Sequence, residues 1–191
     1  MSNIVIISGS PNATSRLNGI IDYVRREIEQ LGHTTKTITV VSLPPDDLVH
    51  ARFGSAAIVE ANRHVEEASA VIIASPVYKA SYTGVLKAYV DLLPQKGLEG
   101  KLVAPLFIGG TLAHLLSIDY SLKPVLSSMG ARHFVRGVYA TDELVDRIQD
   151  GTSETKFELK EELRDRLQAA VQELHEELQM RADFAKQSSG Q

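Results

Sequence analysis

Nine consecutive residues, Ser8-Gly9-Ser10-Pro11-Asn12-Ala13-Thr14-Ser15-Arg16, follow directly on the apolar run Ile4-Val5-Ile6-Ile7. They carry four hydroxyl side chains, one glycine and one arginine, and they open into a helical pattern from about Leu17 to Leu31. Hydroxyl donors, a guanidinium and the backbone N–H groups of a helix N-terminus together suit a phosphate group. The dinucleotide fingerprint needs three glycines and a Walker A loop ends in Gly-Lys-Ser/Thr; this loop has neither. It therefore points to a grip on one terminal phosphomonoester rather than a wrapped pyrophosphate. The same residues would also serve an ordinary strand–helix turn capped by Thr14 or Ser15.

Two further loops carry groups of interest. Ser75-Pro76-Val77-Tyr78-Lys79-Ala80-Ser81-Tyr82-Thr83-Gly84 follows the apolar Val71-Ile72-Ile73-Ala74. Pro76 fixes its own φ and holds Ser75 extended, so the chain leaves the strand in a set direction. Tyr78, Tyr82 and Lys79 can edge a flat aromatic ligand, or the tyrosines can pack on adjoining helices with Lys79 solvated. Gly109-Gly110-Thr111-Leu112-Ala113-His114 follows a fourth apolar run, and paired glycines let backbone N–H groups approach a ligand closely. A lone histidine such as His114 near a helix start is more often a cap or a packed residue than an acid–base catalyst. No hydrolytic or metal constellation is evident: the histidines are scattered, cysteine is absent, and Ser8-Gly9-Ser10 is not a nucleophile elbow. Asp46-Asp47 and Glu66-Glu67 read as solvated loop and helix charges.

These loops need a scaffold that brings them to one place. Apolar or alternating strands are expected at Ile4–Ile7, Thr35–Val41, Val71–Ala74, Leu102–Ile108 and His133–Val138. Helical patterns lie between them, at about Gly54–Ala68, Thr83–Leu93 and Leu112–Met129, the last broken near Pro124. A final helix spans about Glu158–Met180. Pro105 suggests an edge or an irregular start for the fourth strand. Strands alternating with helices imply a doubly wound α/β fold with a parallel sheet covered on both faces. Ligands then sit beyond the carboxyl ends of the strands, where all three loops fall. The stripe Leu163, Leu167, Val171, Leu174 and Leu178 is expected to dock on the chain's own sheet.

With 191 residues, 43% hydrophobic and 23% charged, one domain over residues 1–185 with a frayed polar tail at 186–191 is expected. A net charge of −4 offers no electrostatic case for nucleic acid or an anionic membrane. No apolar run approaches the ~20 residues of a spanning helix, and Ser2-Asn3 leads straight into a strand, so a cytoplasmic protein is expected.

Taken together, the 9–16 loop, the 75–84 loop, Leu92-Leu93-Pro94-Gln95 and the segment Ala113-His114-Leu115-Leu116-Ser117-Ile118-Asp119-Tyr120-Ser121-Leu122-Lys123-Pro124-Val125-Leu126 resemble the NAD(P)H-dependent FMN reductases. The likeness is greatest to the branch that serves alkanesulfonate monooxygenase in sulfur assimilation, and it extends from Met1 to about Val138. It implies a flavodoxin-like five-stranded sheet of order 2-1-3-4-5, FMN as the flavin, NADPH or NADH as donor, and a homotetramer or homodimer. By position, Ser8, Ser10, Ser15 and Arg16 would hold the phosphate. Pro76, Val77, Tyr78 and Lys79 would line the flavin with Thr83 close by, and Gly109, Gly110 and Thr111 would meet its pyrimidine edge. Tyr120 would mark a π-helical bulge at a subunit interface, or else be a plain interface or core tyrosine. No catalytic side chain and no metal is implied, and an FMNH2-dependent monooxygenase would be the partner. Two alternatives use the same fold: a reductase of quinones, azo dyes or metal oxyanions that keeps its FMN, and a flavodoxin-type electron carrier.

Overall fold

A computed structural model of the chain describes residues 1–148 and 155–189. β1 (Asn3–Ser8), β3 (Ala70–Pro76) and β4 (Leu102–Gly109) are buried along almost their whole length. Near-continuous Ile, Val, Leu and Ala suit strands covered on both faces. β2 (Thr34–Thr39) pairs with the outer side of β1. β5 (His133–Phe134) and β6 (Val138–Thr141) share the far side of β4. All these pairs are parallel, and the order β2-β1-β3-β4-β5 is the flavodoxin-like arrangement expected.

Period-2 alternation divides the core into two layers. Ile4 and Ile6 face α1 (Leu17–Gln30) and α6 (Glu161–Ser189), where they meet Leu17, Ile20, Leu163 and Leu167. The whole leucine stripe of α6 lies in this layer, as expected. Val5 and Ile7 face the other way, toward Ile58 and Val65 of α3 (Ala56–Glu67). Leu86 and Tyr89 of α4 (Gly84–Val90) and Leu126 of α5 (Lys123–Ser128) complete that side. No helix among the described residues is long and apolar enough to cross a membrane.

Several expectations are corrected. Pro105 lies neither at an edge nor at a strand start, but in the middle of β4, opposite Ile73 of β3. Between the pairs Val103↔Phe134 and Leu106↔Val138 the partner strand advances one residue further than β4 does. That bulge at 135–137 removes the ladder beside Pro105, which has no N–H to contribute, and it splits the expected strand 133–138 in two. The last helix starts at Glu161 rather than near 158, because an antiparallel hairpin precedes it: β7 (Val145–Ile148) and β8 (Lys156–Leu159). α6 extends to Ser189, and Gly190 and Gln191 lie outside the described residues. Asp47 is not a solvated loop charge. It sits in the short α2 (Pro45–Val49), 9% exposed, with Arg52 Nη1 at 3.4 Å. The expected helix 112–129 is composite: a 3-10 turn (Leu112–His114), a π-helix (Ile118–Leu122), then α5.

Candidate functional site

The loops after β1, β3 and β4 meet at the carboxyl end of the sheet around a cleft of about 170 Å³. Asn12, Ser15 and Arg16 line it from the first loop, Pro76, Val77 and Tyr78 from the second, and Ile108, Gly109 and Gly110 from the third. A larger cavity of about 370 Å³, lined by Asn62, Pro94 and Lys101 among others, lies at the amino end of the strands and gathers none of these loops.

In the first loop, Ser15 Oγ accepts from the Leu17 amide at 3.3 Å, which partly fulfils the capping role open to it. Arg16 Nε donates to the Val145 carbonyl at 2.8 Å, and this fixes the plane of its guanidinium. The Ala13 and Arg16 amides take no acceptor among the described residues, so they remain available as donors. Ser8 and Ser10 are buried beside the cleft rather than lining it. Ser10 Oγ donates to the Asn12 carbonyl at 3.0 Å and accepts from the Asn12 amide at 3.3 Å, which shapes the turn.

The second loop is bolted to the first. Thr83 is 1% exposed; its hydroxyl donates to the Gly9 carbonyl at 2.6 Å and accepts from the Leu86 amide at 3.1 Å. The Thr83 amide in turn donates to Ser75 Oγ at 3.0 Å, so Thr83 holds two loops and caps α4 rather than lining the cleft. Gly9 has to be glycine here, since a Cβ would come within 2.5 Å of Leu86 Cβ. Lys79 and Ala80 form a tight reversal with φ of 52° and 61°, closed by mutual backbone bonds between Tyr78 and Ser81 at 2.8 and 3.1 Å. Such a turn normally selects Gly or Asn, and each L-residue held there costs roughly 1–3 kcal/mol, a strain often found at ligand sites. It sets Tyr78 at the cleft wall and leaves Lys79 exposed outside it.

Tyr139 of β6 supports the third loop from below. Its hydroxyl donates to the Thr111 carbonyl at 2.7 Å, and a Cβ on Gly109 would lie 2.5 Å from that oxygen. Burial, then the Asp142 carboxylate, raises the Tyr139 pKa, so it stays a neutral donor. Thr111 Oγ1 accepts from the Ala113 amide at 3.2 Å and caps the 3-10 turn holding His114, away from the cleft lining. Tyr120 lies within the π-helix and is 79% exposed.

Four lining residues, Asn12, Ile108, Asp142 and Arg147, stand outside the site expected from the sequence; Ile108 is the last side chain of β4 before the glycine pair. Asn12 has no role of its own among the sequence expectations, although it stands between two of the loop's hydroxyls. Asp142 and Arg147 come from the segment that leads into β7 and from β7 itself. No strand pattern signalled that hairpin, so nothing brought its arginine to the site.

Residues 2–146 match the family model described as NADPH-dependent FMN reductase. The chain is 42% identical over 142 residues to "FMN reductase (NADPH)" of Escherichia coli strain K12, which covers 74% of each protein. To the "NADH-dependent FMN reductase SfnF" of Pseudomonas putida it is 32% identical, over 75% of this chain and 80% of that protein. The solved structure of an NADH:FMN oxidoreductase (EMOB) in its apo form superposes with a TM-score of 0.80 at 34% identity, covering 92% of this chain and 89% of that one. The loop cleft, the parallel sheet beneath it and these likenesses agree, and the chain belongs to the family of NADPH-dependent FMN reductases.

Proposed function

We propose that this chain passes a hydride from NADPH or NADH to FMN seated in the cleft, and that it hands the reduced flavin to an FMNH2-dependent monooxygenase of alkanesulfonate assimilation. The observation that carries the reading is the division of the cleft. Asn12, Ser15 and Arg16, from the first loop, line it with polar and cationic groups, whereas Pro76, Val77, Gly109 and Gly110, from the other two, line it with backbone and small side chains. A phosphomonoester suits the first set and a fused ring the second. When bound, FMN supplies the acceptor for a two-electron hydride transfer from the nicotinamide.

The protein's own part is positioning. Arg16, held at Val145, would hold the phosphate, and Tyr78, set at the cleft wall by the turn at Lys79–Ala80, would edge the ring. Backbone N–H groups at Gly110 and Thr111 would serve as donors to the negative charge of a reduced ring. Thr83, Ser10 and Tyr139 keep the three loops in register. With Tyr78 54% exposed and Gly110 open to solvent, the cleft has an open mouth that suits release of flavin.

The monooxygenase role rests on the resemblance of residues 113–126 to the two-component branch. The π-helix at Ile118–Leu122 lies inside that segment. Exposed Leu112, Leu115, Leu116 and Tyr120 give it an apolar surface suited to a homotetramer or homodimer. Light scattering checks the assembly, and a strictly monomeric particle would contradict it. The function is tested by NADPH oxidation in air, with and without added FMN, after the absorbance of the isolated protein is recorded. Colourless protein whose turnover depends on added FMN is expected. Yellow protein that reduces quinone without added flavin would instead make it a bound-flavin reductase.

A further inference from the structure

We propose that Arg147 recognises a phosphomonoester dianion alongside Arg16, as the cleft's second cationic arm. The inference rests on the flavin reading above and adds a specificity residue to it. Arg147 lines the same cleft as Asn12, Ser15 and Arg16. It arrives there through β7, and the same strand fixes Arg16, whose Nε donates to Val145 at its first position. Along an extended strand, residues two apart project from the same face at roughly 7 Å spacing. Val145, fully buried, plugs into the core, and Arg147 projects on that side one step further out, over the cleft. β7 is anchored rather than dangling: Val145 pairs with Leu159, and the Lys160 amide donates to the Leu144 carbonyl at 3.0 Å.

Charge favours the same conclusion. A phosphomonoester carries close to two negative charges at neutral pH, and Arg16 alone would leave about one uncompensated. The cleft's carboxylate, Asp142, lies against Gly110, with Oδ2 at 3.7 Å from where a Cβ on that glycine would stand. It therefore stands beside the third loop, whereas Arg16 comes from the first. Two ligands could bring such a group, the 5′-phosphate of FMN or the 2′-phosphate of NADPH.

The test compares Arg147→Ala and Arg147→Lys with the unaltered protein. Kd for FMN and riboflavin is read from quenching of flavin fluorescence, and KM is measured for NADPH and NADH. Loss of a charge-assisted hydrogen bond predicts that R147A binds FMN roughly 10–100-fold more weakly, with riboflavin unchanged and R147K intermediate. If FMN binding holds but KM for NADPH rises against that for NADH, the arm still reads a phosphomonoester, and the donor supplies it. If the unaltered protein prefers FMN to riboflavin and R147A changes neither ratio, Arg147 has no such role. Unaltered protein that binds FMN no better than riboflavin would instead remove the phosphate site itself, and with it the flavin reading.

Discussion

Thr83→Val replaces a hydroxyl by a methyl of similar shape at the junction of two loops, and its cost follows from what that hydroxyl holds. The substitution strips the N-cap from α4, worth about 1 kcal/mol. It also leaves the buried Gly9 carbonyl without its donor at 2.6 Å, worth about 1–3 kcal/mol. The Leu86 amide, which donates to the same hydroxyl at 3.1 Å, loses its acceptor in the process. Together these give about 2–4 kcal/mol, since Thr83 is 1% exposed and water cannot readily substitute. For a chain of this length that corresponds to a fall in Tm of roughly 10 °C. Calorimetry or circular dichroism on T83V and T83S reads it directly. T83S, which retains the oxygen, should stay close to the unaltered protein. FMN affinity should fall with T83V as the first loop loosens, and recover with T83S. A T83V protein that melts with the unaltered one but binds FMN weakly would refute the bolt and make Thr83 a direct flavin contact.

Other perturbations have equally definite outcomes. Gly109→Ala places a Cβ 2.5 Å from a tyrosine hydroxyl that is itself tied to Thr111, so it should cost about 1–3 kcal/mol and weaken FMN binding. Adding Tyr139→Phe should restore part of that loss, and a double variant no better than G109A would contradict the clash. Leu167→Ala, in the sealed layer under α6, should cost about 2–5 kcal/mol in urea denaturation while leaving Kd for FMN unchanged. His33 is buried between the Ser2 amide, which donates to Nδ1 at 3.3 Å, and His175 Nδ1, 2.9 Å from its Nε2. Burial first, then His175 and the N-terminal charge, lowers its pKa below 6.5. The unfolded chain therefore takes up the proton first, and stability should fall as pH drops through about 6.5 and below. Urea midpoints between pH 8 and 5 should show this slope, reduced in His33→Gln; an unchanged slope would contradict it.

What could be read from the sequence follows from how each element is stabilised. β1, β3 and β4 are buried on both faces, so their apolar runs are continuous and end where the ligand loops begin. β7 and β8, Val-Asp-Arg-Ile and Lys-Phe-Glu-Leu, expose most of their residues and pair with each other, so their pattern is short and charged. Arg147 and Asp142 consequently had no predicted position. The hairpin also lies past Val138, where the resemblance stops. Pro105 was legible as a disturbance but not as a bulge in its neighbour, because the compensating residue is some thirty positions away in the chain. The hydroxyls at Ser10, Thr83 and Thr111 were expected to meet the flavin or its phosphate, and in the structure they bond within the loops. Their partners, backbone groups of the loops themselves, became visible only once the loops were folded together.

The cleft as an FMN site is tested most directly by a crystal structure of the protein grown with FMN. The phosphate is predicted to lie against Asn12, Ser15 and Arg16, with the ring between the Pro76–Tyr78 backbone and Gly109–Gly110. Flavin seated in the cavity lined by Asn62, Pro94 and Lys101, with the cleft between the three loops empty, would contradict the account.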